Sequence, residues 1–291
     1  MQHDKKIWLV TGSGNGLGRN IVEVALKAGH KVVATARNPK QLDDLVDQYN
    51  EQIFTAVLNV NDEKQAKAVV QSAIQRFGRI DVLVNNAGYG DKRPFEQTPA
   101  DAFRELVETC FFGVVTLSRE VLPYMRKQRS GHIINISSVG GMFATPGNTA
   151  YHASKWAVGG FTEGLASETA PFNVKVTALE PGGMKTGWGK RAFQGDNIEL
   201  LPEYENSVGA FLRASIGFVG NENGDPDKVA RVVLKVAEAE HLPQHILLGG
   251  DVYAFAKKIL DERMKGADQW KKISEYIDHS SQVPLPEFPT D

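Results

Sequence analysis

Residues 7–26 read IWLVTGSGNGLGRNIVEVAL. A short apolar run, suited to a strand, meets a glycine-rich turn, and a helical pattern follows. Gly12, Gly16 and Gly18 stand at that junction. Glycine permits positive φ and lets the backbone approach a ligand closely. The helix points free N–H groups and its positive dipole end at the turn, which suits a pyrophosphate. Glycines also serve plain tight turns. The placement after the first strand of a repeating pattern is what gives this turn weight.

The pattern does repeat. Apolar, β-branched runs recur at 7–11, 31–36, 54–58 (FTAVL), 80–84 (IDVLV), 132–136 (HIINI), 174–179 (VKVTAL) and 245–248 (HILL). Helical patterns lie between them. In 63–77, Ala66, Val69, Val70, Ala73, Ile74 and Phe77 mark one helical face. Asn61 or Asp62 is placed to cap its start and Gly78 its end. Strands alternating with helices predict right-handed βαβ units and a parallel sheet covered on both faces. The expected fold is α/β: one doubly wound Rossmann-type domain over residues 1–250. A C-terminal helix, 252–264, and an extended tail ending VPLPEFPTD, within residues 251–291, are expected to pack on the same domain. Residues 186–225 contain no strand pattern and carry Trp188, Phe193, Leu200, Leu201, Tyr204, Phe211, Leu212 and Phe218. This segment reads as a cover over a mostly apolar pocket.

Composition narrows the function classes. The chain has 291 residues, 42% of them hydrophobic, and a formal net charge of −2. That balance offers no basic field for nucleic acid or an anionic membrane. Its one cysteine, Cys110, excludes an intrachain disulfide, and no Cys/His metal spacing occurs, so no metal site is expected. MQHDKKIWLV lacks a signal-peptide core, and no stretch is apolar for the length of a membrane span. A cytoplasmic location is the expectation.

Residues 151–155 read YHASK. On a helix Tyr151 and Lys155 share a face, and an ammonium beside a phenol favours the phenolate. By itself the pair also describes a packed tyrosine and a solvated lysine. Other motifs change its meaning. The turn follows T-G-x-x-x-G-x-G, Asn85-Asn86-Ala87-Gly88 follows the fourth strand, and Ser138 closes the fifth, thirteen residues before Tyr151. Pro181-Gly182 follows the sixth, with Thr186 beyond. In these motifs, in this order, residues 5–250 resemble the short-chain dehydrogenase/reductase family in its shorter, non-extended branch. Each motif falls at the carboxyl end of a strand, where such sheets bind ligands.

The resemblance implies a seven-stranded parallel sheet in the order 3-2-1-4-5-6-7. It implies hydride transfer between a nicotinamide and the carbonyl or secondary-alcohol carbon of a small molecule. Tyr151 would be the acid/base. Lys155 would lower the phenol pKa and hold the nicotinamide ribose, and Ser138 would stabilise the substrate oxygen. Gly12, Ser13, Asn15, Gly16, Leu17 and Gly18 would carry the dinucleotide's pyrophosphate. Asn59 and Val60 would meet adenine, and Asn86, Ala87 and Gly88 would run along the cofactor. Pro181, Gly182 and Thr186 would fix the carboxamide. At the end of the second strand Ala36 offers no carboxylate and Arg37 follows, which favours NADP(H) over NAD(H). Gly140, Met142, Phe143 and Trp188 should border the substrate. Its class is expected to be a medium-to-large hydrophobic ketone or alcohol.

One position departs from the family pattern. In Cys110-Phe111-Phe112-Gly113, cysteine stands where the family has asparagine. In the family, that asparagine's main-chain carbonyl is associated with a water linking the lysine to solvent. A buried small hydrophobe is the ordinary role of such a cysteine. The alternative it raises is a cofactor-binding regulatory protein, or a catalytically weakened one. Homo-oligomers, dimers or tetramers, are common in the family, often through helices near 102–128 and 152–170.

Overall fold

The computed structural model describes residues 5–193, 199–280 and 284–289. Residues 1–4 at the amino end, 194–198 of the expected cover, and 281–283 and 290–291 of the tail lie outside the described residues. Seven parallel strands form one sheet in the order 3-2-1-4-5-6-7. They are β1 (Ile7–Val10), β2 (Lys31–Ala36), β3 (Ile53–Val57), β4 (Val82–Asn85), β5 (Gly131–Ile136), β6 (Val174–Pro181) and β7 (His245–Leu248). The interleaved helices are α1 (Gly16–Lys27), α2 (Asp43–Tyr49), α3 (Glu63–Phe77), α4 (Ala100–Val107), α5 (Gly113–Gln128), α6 (Thr149–Thr169), α7 (Gly187–Phe193), α8 (Ala210–Ile216) and α9 (Pro226–Glu238).

The continuous apolar strands have a simple cause. Side chains alternate across a strand, and both faces of this sheet are covered. Trp8 and Val10 of β1, Val82 and Val84 of β4, and Ile134 and Ile136 of β5 enter the core shared with α1 and α9. Leu9, Leu83 and Ile133 enter the opposite core, shared with α3 and α5. The cap predicted for α3 forms: Asp62 accepts from the amides of Lys64 and Gln65, and Gly78 ends the helix at φ 80°. The register sets Val10 beside Ala34 and Val84, Asn85 beside Asn135, and Ile136 beside Leu179. The carboxyl ends of the central strands therefore open at one edge.

Two further networks position that edge. Asn85 donates to Asn135 Oδ1 (2.9 Å) and to Ser118 Oγ (3.3 Å), and Asn135 donates to Thr162 Oγ1 (2.9 Å). This buried chain joins β4 and β5 to α5 and α6. On the outer side, both ring nitrogens of His245 face carboxylates: Nδ1 to Glu180 Oε1 (2.8 Å) and Nε2 to Glu163 Oε1 (2.9 Å). Only an imidazolium donates from both nitrogens. The Glu180 hydrogen bond, more than any other influence, raises the His245 pKa.

A histidine whose folded pKa is raised stabilises fully below its unfolded value, near ~6.5. It loses that contribution as pH rises through the higher folded value. His245→Phe should therefore cost more thermal stability near pH ~6 than near pH ~9. Melting curves of both proteins across that range check this, and an equal loss at both ends would contradict it.

Contacts divide the chain into a unit of residues 1–249 and a second of 250–291. The second consists of α10 (Gly250–Gln269), α11 (Lys271–Tyr276) and a tail segment whose Phe288 ring meets Trp270 at 5.2 Å. Its helix is longer at both ends than the expected 252–264. Among the described residues no helix is long and apolar enough to cross a membrane, and no cluster of metal-ligating side chains occurs.

Candidate active site

A cavity of about 1090 Å³ opens along the carboxyl edge of the sheet. At one end lies the glycine turn. Gly12 adopts φ +66°, and a Cβ there would sit 2.9 Å from Ala87 Cα. A Cβ on Gly18 would sit 2.3 Å from Gly12 O and 2.5 Å from Asn86 Nδ2. Gly16, at φ +57°, leaves room toward Thr186. Asn15 precedes α1 without capping it by its side chain, and the first turn carries no acid. The first N–H groups of a twelve-residue helix thus point into the cavity without a side-chain acceptor. This cradle fits a dinucleotide pyrophosphate. Asn86 braces it, donating to Thr11 O (2.9 Å) and Gly12 O (3.2 Å). Arg37, Asn59, Val60, Ala87, Gly88, Pro181, Gly182 and Thr186 line the same cavity.

Further along, β5 and α6 meet. Lys155 is buried, and its Nζ donates to Ile136 O (2.7 Å) and lies 5.6 Å from the centre of the Tyr151 ring. Ser138 Oγ accepts from the Gly140 amide (3.0 Å), and its hydroxyl is hydrogen-bonded to the Tyr151 phenol. Ser137 Oγ donates to Lys155 O (3.3 Å). The amide of Thr145 donates to His152 Nε2 (3.1 Å), so the ring's hydrogen sits on Nδ1 and reaches Gly140 O (2.9 Å). His152 thereby ties the loop after Ser138 to the helix bearing Tyr151. Among the described residues sequence reasoning did not select His152, although it stands inside YHASK.

Electrostatics correct one expectation. The Tyr151 phenol stands above its ordinary pKa, not below it as the pairing with Lys155 alone predicts. Burial of the phenol oxygen dominates and pushes its pKa up, opposed only by the Ser138 hydrogen bond. Burial also lowers the Lys155 ammonium's pKa. Both charged forms face the same desolvation penalty. Tyr151 is a neutral phenol, a proton donor, at neutral pH.

Three expected site residues do not line the cavity. Ser13 is fully buried, its hydroxyl donating to Val10 O (2.9 Å) and its amide to Thr35 O (2.8 Å). Met142 sits beyond the tight turn Val139–Gly141, outside the lining. Cys110 is fully buried in a π-helical turn, Glu108–Phe112, between α4 and α5. Its Sγ donates to Tyr89 O (3.4 Å), and burial pushes the thiol's pKa up. It behaves as a small neutral core residue. Gly113, the other half of the motif, is required for packing, because a Cβ there would sit 2.7 Å from Val60 Cγ2.

The described cover reaches the site. Gly140, Phe143 and Trp188 line the cavity, and Trp188 packs 5.4 Å from the Tyr151 ring. Gly90 admits it, since a Cβ there would sit 2.6 Å from the indole. Lys92, Arg191 and Phe211 complete this end. Lys92 and Arg191 carried no motif.

With this geometry in place, comparison with known proteins identifies the family. The family model for short chain dehydrogenases matches residues 6–197. The chain belongs to the short-chain dehydrogenase/reductase family. Oxidoreductase BOA17 of Botryotinia fuckeliana (strain B05.10) is 42% identical over 270 residues, 92% of this chain and 98% of that protein. A short-chain dehydrogenase from Streptomyces avermitilis superposes with a TM-score of 0.86 at 37% identity, covering 94% of this chain and all of the other. The closed form of a serine dehydrogenase complexed with NADP+ superposes at 0.73 with 29% identity, covering 83% and 94%. This short-chain dehydrogenase/reductase is thus an oxidoreductase with a fold that binds nicotinamide dinucleotides.

Proposed function

We propose that the protein is an NADP(H)-dependent carbonyl reductase or alcohol dehydrogenase acting on a medium-to-large hydrophobic ketone or secondary alcohol. The observation that carries this reading is the convergence of Ser138, Tyr151 and Lys155 on a cavity that also receives the open amino end of α1. When bound, the nicotinamide supplies or takes the hydride. The chain's own residues orient and protonate. Ser138, hydrogen-bonded to Tyr151 in the cavity wall, turns its hydroxyl hydrogen to the substrate oxygen. Tyr151, a neutral phenol, gives its proton to the developing alkoxide. Lys155, fixed by Ile136 O, stands beside the phenol and holds the ribose. Trp188 and Phe143 supply apolar wall and exclude water. The intact trio argues against a purely regulatory binder, and Cys110 lies outside the cavity. NADPH oxidation over a panel of hydrophobic ketones and diketones tests the reading. No turnover with any member, in the presence of demonstrable dinucleotide binding, would overturn it.

The NADP(H) preference rests on Arg37 in the cavity lining and on Ala36 where an acid would otherwise stand. A guanidinium is suited to a 2′-phosphate. Arg37→Ala should lower kcat/KM for NADPH by roughly 10- to 100-fold and leave that for NADH nearly unchanged. Parallel kinetics with the two dinucleotides check this. An equal loss with both would show that Arg37 serves the turn and not the phosphate.

A further inference from the structure

The substrate end of the cavity holds a cation, Lys92, that no anion among the described residues answers. Lys92 follows the Asn86–Gly88 segment beyond β4 and lines the cavity. Its Nζ lies 5.3 Å from the centre of the Phe193 ring and 5.4 Å from that of Phe211. Among the described residues no oxygen accepts a hydrogen bond from it and no carboxylate pairs with it. Burial alone lowers its pKa to about 8, so it remains mostly charged at neutral pH. Its neighbour Arg93 differs: Asp91 holds that guanidinium through contacts of 2.8 Å at Nε and 2.8 Å at Nη2. Arg191 lies one helical turn beyond Trp188 on α7, lines the same cavity, and pairs with no carboxylate among the described residues.

Lys92 lies close to the chemistry. Its charge is felt at His152, whose pKa it helps to lower. His152 adjoins Tyr151, the two rings 5.9 Å apart. A clamp for the cover explains the two phenyl rings, since a cation over aromatic faces is attractive. It leaves three N–H donors without a partner among the described residues, at a half-buried place on the cavity wall where a bound substrate would displace water. A carboxylate arriving with the substrate would take those donors and restore the lost solvation.

We propose that the substrate is a hydrophobic oxo or hydroxy carboxylic acid whose carboxylate is held by Lys92, with Arg191 beside it, while Ser138 and Tyr151 take the reacting oxygen. The proposal rests on the hydride-transfer reading of the same site. It deepens that reading by naming the group that fixes the substrate's far end.

The test uses a series of oxodecanoic acids differing in ketone position, each beside its methyl ester, with saturating NADPH and, in parallel, NADH. One acid should exceed its ester in kcat/KM by roughly 10- to 100-fold, chiefly through KM. Lys92→Met should bring the acid-to-ester ratio to about one, and Lys92→Arg should restore most of it. Equal rates for acids and esters with the unmodified protein overturn the proposal. So does a Lys92→Met loss that strikes acid and ester alike, the mark of a lysine that only clamps the cover. Should Lys92→Met fail to fold, the unmodified ratio and Lys92→Arg still decide. Calorimetric titration of acid and ester onto the unmodified protein with NADP+ separates the two readings. If neither compound turns over but the acid binds and the ester does not, hydride transfer falls and the carboxylate site stands. If neither binds, the carboxylate site falls.

Discussion

Tyr151→Phe is expected to lower kcat for ketone reduction by roughly 10²–10⁴-fold, the usual worth of a positioned proton donor. Dinucleotide affinity should change by less than about threefold, because the ring and its packing on Trp188 remain. The phenol is protonated at neutral pH, and burial raises its pKa further. Phenylalanine preserves shape and removes only the transferable proton. Single-turnover reduction, read beside a fluorescence titration with NADPH, separates chemistry from binding. A variant that reduces ketones within about twofold of the unmodified rate would show that another group delivers the proton, and the assignment would fail.

The second large effect is expected at Gly18. A methyl group there meets the Gly12 carbonyl at 2.3 Å, and Asn86 Nδ2 at 2.5 Å. Neither neighbour is a flexible tip. The carbonyl belongs to a backbone turn, and Asn86 is spent bracing that turn. Gly18→Ala should therefore cost about 2–3 kcal/mol, as overpacking of a tight site does. For a chain of this size that is a fall of roughly 4–12 °C in Tm. Dinucleotide binding should weaken at least roughly tenfold, because the amides of the turn are displaced from their anion-facing arrangement. Gly164→Ala is the matched control. It stands in α6 with nothing within 4 Å of an added Cβ, so helix propensity predicts no loss and a gain of up to about 1 kcal/mol. Thermal melts and NADPH titrations of the two variants read the contrast. Equal behaviour would mean that the turn yields more easily than its contacts imply.

The parts of this molecule that were legible from sequence share one property: short-range rules write them. Strand runs such as KVVATA, the α3 face with its Asp62 cap, and the glycine turn each carry their meaning within about twenty residues. Strand order and the site trio became readable because several such signals fell in a fixed order. What stayed hidden depends on contacts between distant segments. The Asn85–Asn135–Thr162 chain spans elements whose pairing no local pattern announces. Ser13 sits in a phosphate-type turn, yet its hydroxyl is consumed by Val10 O, so its position misleads. The direction of the Tyr151 shift was misread because i,i+4 proximity to a lysine is visible in sequence and burial of the phenol is not. Lys92 gave no signal, because its environment is made by Phe193 and Phe211, more than a hundred residues away.

The way α6 is fastened to β5 has an evolutionary consequence. Lys155 Nζ on Ile136 O, Ser137 on Lys155 O, and His152 on Gly140 O and Thr145 N stitch the turn of α6 that carries Tyr151 and Lys155 to β5 and its loop. The walls at the far end of the cavity, proposed to face the substrate, come from elsewhere, from α7, α8 and the loop bearing Lys92. On the proposed mechanism, substitutions in those walls can change what is accepted without disturbing the groups that move the proton. A chain built this way is free to exchange its cover and keep its proposed reaction.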